Sequence, residues 1–321
     1  MTGSAEVGIT EEDTRTIHRR LLRALAHNRH PGFHFCGYFL DTQFDEISPG
    51  KGRLAMHNGP HIDNGTGQAH LAPFCVLVDI ALATGVRSLL PSPVRLATVN
   101  LNIQLTGAPR VGRLTADSTF QGFVHGAAGQ QGISQAVITS DSCAGSLCLA
   151  SGTFMVLPAP SGTPMPTIPR YAHSDLETAD LNDEEHRILA QAERALARSR
   201  LQSGSFIDHF LGYEYSRTPT GASGHLANGP HIANRVGHVQ GGVMLGLALT
   251  TAAAALPNDW LLTAANACYL VPGEGAALNA ESTFVHRGRS TAVIRTRLFS
   301  DNGRQVLEVT STHSCLQARQ G

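Results

Sequence analysis

The sequence predicts an α+β fold made of two tandem copies of one unit, each an antiparallel sheet wrapped around a long buried helix. The first observation is a heptapeptide that occurs twice. Residues 58–64 read Asn-Gly-Pro-His-Ile-Asp-Asn, and residues 228–234, 170 positions later, read Asn-Gly-Pro-His-Ile-Ala-Asn. The second observation is that an apolar helical run and several alternating stretches follow in the same order in each half. A repeat distance this long indicates domain duplication rather than a solenoid.

Length and composition agree with two ordinary domains. The chain has 321 residues, and 42% of them are hydrophobic, which is enough for two cores. The charged fraction is 15% and the formal net charge is −1, which argues against nucleic acid or an anionic membrane as the main partner. The six cysteines form no CxxC pair, so we expect free thiols and no metal. A polar start without an apolar segment favours a soluble, cytoplasmic protein.

The elements of the first unit follow from their patterns. Acidic residues after Thr10 predict the start of an amphipathic helix. Strand-like segments follow near 34–44 and 52–57, and residues 68–87 are apolar on nearly every face, which predicts a buried helix. Four alternating stretches separated by glycine-rich turns then predict consecutive antiparallel strands, near 93–105, 112–124, 131–141 and 147–157.

The second unit repeats this plan after a linker. Five prolines among residues 158–170 indicate the linker. We therefore predict an N-terminal domain over 1–157, a linker over 158–180 and a C-terminal domain over 181–321. The C-terminal domain begins with an amphipathic helix and contains a short helix or turn at 205–211 and a strand near 212–216. A buried helix follows at about 238–256, and four strands then lie near 260–271, 275–286, 290–300 and 304–315.

One long buried helix followed by consecutive antiparallel strands predicts a sheet that curls around the helix, which is the hotdog arrangement. A second copy can cover the remaining exposed surface by pairing edge to edge. The duplication is therefore explained most simply as a fused pair of hotdog domains. Hotdog proteins usually associate further, so we expect a homo-oligomer, a dimer or trimer of this chain.

The start of the second buried helix resembles that of the PaaI-like hotdog acyl-CoA thioesterases. Members typically have an Asn, then His-Gly-Gly, then a carboxylate nine residues after the His. The resemblance rests on the stretch Asn234-x2-Gly237-x2-Gln240-Gly241-Gly242, and the segments 269–275 and 284–290 resemble the family as well. The resemblance covers most of 205–315 and, more weakly, 33–157. It implies hydrolysis of an acyl-CoA thioester without a cofactor or metal.

Each copy keeps a different part of this motif. The first copy has Asn64, His70 and, nine residues later, Asp79, but Leu-Ala replaces Gly-Gly after the His. The second copy has the Asn and both glycines, but Gln240 replaces the His and Leu249 stands in the place of the acid.

Geometry requires that any working site combine both copies. Positions 71 and 79 lie about 12 Å apart on one helix, too far for one thioester carbonyl to contact both. In family members the paired helices run antiparallel, which brings the start of one helix to the acid of the other. We therefore predict one composite site of Asn234, Gln240, Gly241 and Asp79. The other composite, from Asn64, His70, Leu71 and Leu249, lacks the acid and would be a relic.

The predicted roles follow from thioester chemistry. The Gly241 amide at a helix N-terminus is a free donor for an oxyanion, and glycine allows the carbonyl to approach closely. Asp79 would act as general base on water or as direct nucleophile. Asn234 and Gln240 would orient the thioester or the water. Gly242 equally suits close helix packing. Since an unpaired buried carboxylate is costly, catalysis is favoured over a structural role for Asp79.

Several substrate contacts and alternatives stay open at this level. We predict that Gly242, Asn64 and His70 contact substrate, and that Arg287 and Arg289, at a strand turn, bind the CoA phosphates. A solvated hairpin tip is the alternative for these arginines. His61 and His231 are more simply explained as histidines that brace turns. The segment Pro60-His61-Ile62-Asp63 faintly resembles a hydratase Asp/His pair, so an enoyl-CoA hydratase or a non-catalytic acyl-binding protein are the competing functions.

Overall fold

The computed structural model describes residues 9–91, 94–127, 129–159, 171–202 and 204–316. Residues 160–170, the proline-rich part of the predicted linker, lie outside these ranges. The predicted domain boundaries therefore stay a prediction.

The strands of both repeats form one continuous twelve-stranded sheet, whose strand order is β1-β2-β4-β5-β6-β3-β9-β12-β11-β10-β8-β7. The first repeat supplies β1 Gln43–Ser48, β2 Lys51–His57, β3 Val94–Leu105, β4 Arg113–Gly126, β5 Gly129–Ser140 and β6 Cys143–Pro158. The second supplies β7 Tyr213–Thr218, β8 Gly221–Ala227, β9 Trp260–Tyr269, β10 Ala277–Arg287, β11 Thr291–Ser300 and β12 Gln305–Cys315. Every pairing is antiparallel. The predicted edge-to-edge fusion is confirmed.

The repeats join through β3 and β9. Their pairing is symmetric about Asn102 and Asn266, so that Asn100 faces Cys268 and Gln104 faces Ala264. This register fixes which positions of the two repeats correspond. Because each strand carries a bulge at the same distance from the centre, Thr98 of the first repeat matches Leu262 of the second.

The two predicted buried helices, α3 Leu71–Arg87 and α6 Gly241–Ala254, pack against each other on the sheet. Small residues allow their backbones to approach closely. A Cβ atom at Gly242 would lie 2.5 Å from the Val76 Cα, and one at Gly246 would lie 2.4 Å from the Ala72 Cβ. The close packing expected of Gly242 is therefore present, and it fixes the start of α6 beside the middle of α3.

The described ranges also contain four further α-helices, α1 Glu11–Asn28, α2 Phe35–Phe39, α4 Asp183–Leu201 and α5 Phe206–Leu211, and a short 3-10 helix, Thr178–Asp180. The prediction of a strand over 34–44 was wrong for α2. His34 caps this helix by accepting a hydrogen bond from the Gly37 amide, and its Phe35 and Phe39 rings pack against Phe210. Burial of these aromatic side chains outweighs their preference for strands. No helix within the described ranges is long and apolar enough to span a membrane.

Candidate active site

Asp79 lies in the middle of α3 and is only 6% exposed. Its carboxylate accepts two side-chain hydrogen bonds. The Thr98 hydroxyl donates to Oδ1 over 2.9 Å, and the Gln240 Nε2 donates to Oδ2 over 2.8 Å. Thr98 belongs to the first repeat and Gln240 to the second. The structure therefore brings Asp79 and Gln240 together as the sequence predicts.

Gln240 is the N-cap of α6 and uses both ends of its amide. The Oε1 atom accepts a hydrogen bond from the Val243 backbone amide over 3.0 Å, while Nε2 binds Asp79. Capping orients the side chain, because its oxygen is committed to the helix and only the NH₂ group faces the carboxylate. The Gly242 backbone amide also donates a hydrogen bond to Asp79. The start of one helix thus directs several donors at an acid on the other.

The protonation of Asp79 reflects two opposing influences. Burial raises its pKa from the ordinary 3.8 to about 6, although hydrogen bonds from Thr98, Gln240 and Gly242 act in the opposite direction. A carboxylate with a pKa near 6 is still largely ionised at neutral pH. It is also a stronger base than an ordinary aspartate, which suits proton abstraction from water.

Gly241 provides a backbone donor next to this carboxylate. Within the described ranges, its amide N–H has no hydrogen-bond acceptor, as expected for the first turn of a helix. A Cβ atom at this position would lie 2.9 Å from the Asp79 Oδ2 and 3.5 Å from the Thr98 Oγ1. The absence of a side chain is what leaves room beside the carboxylate. We call Asp79, Thr98, Gln240 and Gly241 the Asp79 junction.

A cavity of about 520 Å³ opens onto the Asp79 junction. One face of α3 forms part of its wall from Asp79 to Arg87, and the first residues of β3 form another part. The loop before α2 contributes Phe33 to the cavity wall. Arg235 anchors this part of the chain by donating hydrogen bonds to the Asn28 and His30 carbonyls over 2.8 and 2.7 Å. The volume is in the range of cavities that bind small ligands.

Sequence reasoning missed two residues at this place, Thr98 of the junction and the neighbouring Tyr269. Thr98 is a hydroxyl on a strand, and no spacing pattern pointed to it. Tyr269 donates a hydrogen bond from its hydroxyl to the Gly241 carbonyl over 2.9 Å and lines the cavity. The signal for Thr98 lies in the comparison of repeats, because Asp79 and Thr98 are both replaced by leucine at the matching positions 249 and 262.

The matching place in the other composite has a different structure. Leu249 is fully buried, and the capping residue His70 is turned towards a different acid. The His70 Nδ1 accepts a hydrogen bond from the Ala72 amide over 3.1 Å. The other ring nitrogen, Nε2, therefore donates to the carboxylate of Asp208 in α5, 3.1 Å away. Phe74 is completely buried nearby, beneath the Arg110 guanidinium. We call Leu249, Leu262, His70 and Leu71 the Leu249 junction.

The structure assigns loop contacts to the two predicted asparagines. Asn234 lines the cavity, but its Oδ1 accepts from the Val236 and His238 amides over 3.0 and 3.1 Å. Asn64 makes the same kind of contact with the Thr66 and Gln68 amides. Because both repeats use the side chain in the same way, its shared role is to shape the loop before the buried helix. His70, bound to Asp208, is likewise not directed at the Asp79 cavity.

Arg287 and Arg289 do not line the cavity beside Asp79. They belong to the β10–β11 hairpin, and the Arg287 guanidinium lies 5.1 Å from the centre of the Phe284 ring. The hairpin near the cavity is the uncharged one between β4 and β5, where Gly129 lies beside the cavity residue Met155. The repeat symmetry therefore places the two arginines on the side of Leu249. Their predicted contact with CoA phosphates at the Asp79 site is not supported.

Comparison with known proteins defines the class. Residues 230–314 match the family model described as the acyl-CoA thioesterase N-terminal domain. The matched stretch includes Gln240 and Gly241 of the Asp79 junction and the neighbouring Tyr269. The second repeat is therefore an acyl-CoA thioesterase domain. A search of curated proteins gives no match.

Solved structures confirm the double hotdog fold. A conserved protein of unknown function with a hot dog fold from Alicyclobacillus acidocaldarius aligns with a TM-score of 0.53 and 8% identity, over 85% of this chain and 95% of that one. A putative oleoyl thioesterase from Lactobacillus plantarum gives a TM-score of 0.52 and 10% identity, over 83% and 97%. A putative thioesterase II from Thermobifida fusca gives 0.50 and 12%, over 85% and 95%. At these identities the similarity concerns the fold.

Proposed function

We propose that the protein hydrolyses acyl-CoA thioesters to the free acid and CoA at the Asp79 junction. The observation that supports this most strongly is the contact between the Asp79 carboxylate of one repeat and Gln240 at the helix start of the other. The family match of the second repeat supplies the substrate class. A cavity that opens onto this contact offers room for the acyl group.

The chemistry assigned to each group follows from its contacts. Asp79 takes a proton from a water molecule, and the resulting hydroxide adds to the thioester carbonyl carbon. The Gly241 amide stabilises the negative charge on the carbonyl oxygen, an effect worth roughly 3–4 kcal/mol in comparable sites. Collapse of this intermediate breaks the carbon–sulfur bond, and the departing thiolate takes the proton from Asp79. Thr98 and Gln240 hold the carboxylate, which favours its action as a base over direct attack.

The hydratase alternative has little support in the geometry. His61 is 2% exposed, does not line the cavity, and burial lowers its pKa to about 3. The Asp63 Oδ1 accepts hydrogen bonds from the Gly65 and Gly67 amides, so this carboxylate is committed to its loop. His61 instead packs its ring edge-to-face against Phe39, as expected of a histidine that braces a turn.

The test is incubation of purified protein with a panel of acyl-CoAs while free thiol and C=C absorbance are recorded together. We expect thiol release without a change in C=C absorbance, and we expect Asp79→Asn to abolish it. A change in C=C absorbance without thiol release would establish a hydratase. Binding without either signal would establish an acyl-binding protein. Either result would overturn the proposal.

A further inference from the structure

The cavity beside Asp79 contains a cation that the hydrolysis of a plain acyl chain does not use. Arg87 lies at the C-terminal end of α3 and lines the same cavity as Asp79. Among described residues, its side chain makes one hydrogen bond, from Nη1 to the Val94 carbonyl over 2.8 Å, and no ion pair. A guanidinium has five N–H donors, so most of its capacity is unused.

The charge around the cavity is unbalanced. Among described lining residues, Asp79 is the one acid, whereas three guanidinium groups are present, those of Arg87, Arg95 and Arg235. Arg235 is committed to backbone carbonyls of the loop before α2. The Arg95 Nε is buried without a hydrogen-bond partner in the described ranges. Since a partly buried cation without a partner is costly, the cavity is suited to an anionic ligand.

The position of Arg87 relates this anion to the acyl group. Arg87 lies eight positions after Asp79 on the same helix, which is about 12 Å at 1.5 Å per residue. The helix face between them presents Ile80 and Ala83 to the cavity, and Phe44 and Phe154 also line it. A ligand that lies along this face therefore meets a carbonyl-activating carboxylate, an apolar stretch and a cation in that order.

In the part of the second repeat that the structure describes, no equivalent of this arrangement is present. Helix α6 ends at Ala254, and the position that matches Arg87 by the repeat distance is Pro257. The cation thus occurs in the repeat that carries the acid. At the end of α6, Arg217 instead donates to the Ala254 and Leu256 carbonyls and does not line the cavity.

We propose that Arg87 binds a carboxylate at the far end of the acyl group, so that the preferred substrates are CoA thioesters of dicarboxylic acids. This inference rests on the proposed function, since it names the substrate class of the same site. A guanidinium matches a carboxylate with two parallel hydrogen bonds, and the apolar stretch accommodates the methylenes between the two ends. A phosphate of CoA could also satisfy Arg87, so the experiment must separate the two anions.

The test compares succinyl-, adipoyl-, suberoyl- and sebacoyl-CoA with the monocarboxylic thioesters of equal length, in wild type, Arg87→Gln, Arg87→Lys and Arg217→Gln. We expect the wild type to prefer a dicarboxylic substrate of intermediate or greater length. Arg87→Gln should lower kcat/KM for that substrate by at least about tenfold, mainly through KM, because a charge-assisted hydrogen bond is lost. Octanoyl-CoA should be unaffected. Arg87→Lys should recover part of the loss, and Arg217→Gln should behave as wild type.

Two further measurements make the outcomes distinct. Suberoyl-pantetheine lacks the nucleotide, so a loss in Arg87→Gln that persists with it assigns the arginine to the acyl carboxylate. A loss that disappears with it, or that is equal for suberoyl- and octanoyl-CoA, assigns Arg87 to a CoA phosphate and overturns the proposal. If wild type hydrolyses none of these thioesters, the proposed function fails. Calorimetric titration of wild type and Arg87→Gln with free suberate then tests Arg87 alone, and equal affinities of the two proteins would overturn its assignment.

Discussion

The Asp79 junction and the Leu249 junction occupy matching places where the two repeats meet, yet they are built from opposite kinds of side chain. Each is organised by a helix-capping residue that uses one atom on its own helix and another on a carboxylate. Gln240 binds Asp79 inside the cavity, whereas His70 binds Asp208 of α5. At the Leu249 junction, leucines occupy the places of the acid and the threonine.

The difference lies in how the two copies divide the parts of the proposed site. Each repeat contributes either the acid or the helix start to the Asp79 junction. The remaining positions are apolar or take part in the ion pair between His70 and Asp208. The proposed function predicts that turnover depends on the groups of the Asp79 junction and not on those of the Leu249 junction. This comparison can be tested by removing individual groups on one side at a time.

The largest loss of activity should follow from removal of the acid at the Asp79 junction. We expect Asp79→Asn to lower kcat by about 10²–10⁴-fold, the usual contribution of a positioned general base. The matched change, Leu249→Ala, should cost about 2–5 kcal/mol of unfolding free energy and leave turnover per folded molecule intact. Steady-state kinetics and thermal unfolding measure both. Near wild-type turnover in Asp79→Asn would refute the assignment.

A change of side chain at the first residue of the buried helix should lower activity in α6 but not in α3. Because a Cβ at position 241 would lie 2.9 Å from the Asp79 Oδ2, Gly241→Ala should displace the carboxylate. A displacement of about 1 Å can cost about 100-fold in rate. Leu71→Ala at the matching position should leave kcat unchanged. If Gly241→Ala is as active as wild type, the space beside the carboxylate is not needed for catalysis.

The hydroxyl of Thr98 should matter through Asp79. Thr98→Val removes one hydrogen bond to a charged group and should lower kcat/KM by about tenfold. Thr98→Ser keeps the hydroxyl and should retain most activity, and Leu262→Val provides the matched change at the Leu249 junction. Equal activities of the Ser and Val variants would show that the hydroxyl is dispensable.

The pH dependence should report the ionisation of Asp79. Since the base must be deprotonated, kcat/KM should fall as pH drops through about 6, the pKa that burial gives Asp79. Thr98→Val loses a donor to the carboxylate, so its rising limb should move to higher pH. The same raised pKa means that this group stabilises the fold below pH 3.8 and that this stability is lost as pH rises through about 6. If the rising limb of kcat/KM lies at the same pH in Thr98→Val as in wild type, it does not report the ionisation of Asp79.

The smallest effect on activity should come from the ion pair of the Leu249 junction. Although burial alone would raise the pKa of Asp208, hydrogen bonds from His70 and Ser205 hold it down to about 2. This contribution to stability is therefore present above pH 3.8 and lost as pH falls towards 2. Asp208→Asn should lower the free energy of unfolding at neutral pH by about 2 kcal/mol, measured by denaturant titration, without changing kcat/KM. Loss of activity in a folded variant would mean that the Leu249 junction also serves catalysis.

Much of the architecture could be predicted because it depends on long patterns. The duplication, the two buried helices and the hotdog pairing follow from periodicity and from the repeated heptapeptide, and the predicted thioesterase class is confirmed. The PaaI-like subfamily, the cytoplasmic location and the homo-oligomer stay predictions. Helix α2 was missed because five residues, three of them aromatic, show no helical period and favour a strand by composition.

The site could be predicted only in part, since it depends on contacts between distant positions. The proximity of Asp79, Gln240 and Gly241 could be predicted because antiparallel pairing of the helices brings them together, while their catalytic roles stay predictions. Thr98 was missed because a single hydroxyl on a strand has no local signature. Arg287 and Arg289 do not line the Asp79 cavity, because their place depends on which of the two hairpins lies beside it, and their contact with CoA stays a prediction. Arg87 resembles an ordinary basic residue at a helix end, and only its cavity distinguishes it.

The close crossing of α3 and α6 has a consequence for each half taken alone. On the proposed function, neither half could assemble an active site by pairing with a second copy of itself. A dimer of first halves would have two acids without the glycine-rich helix start, and a dimer of second halves would have the reverse. On the proposed function, the chain therefore works as a heterodimer whose two subunits are covalently joined.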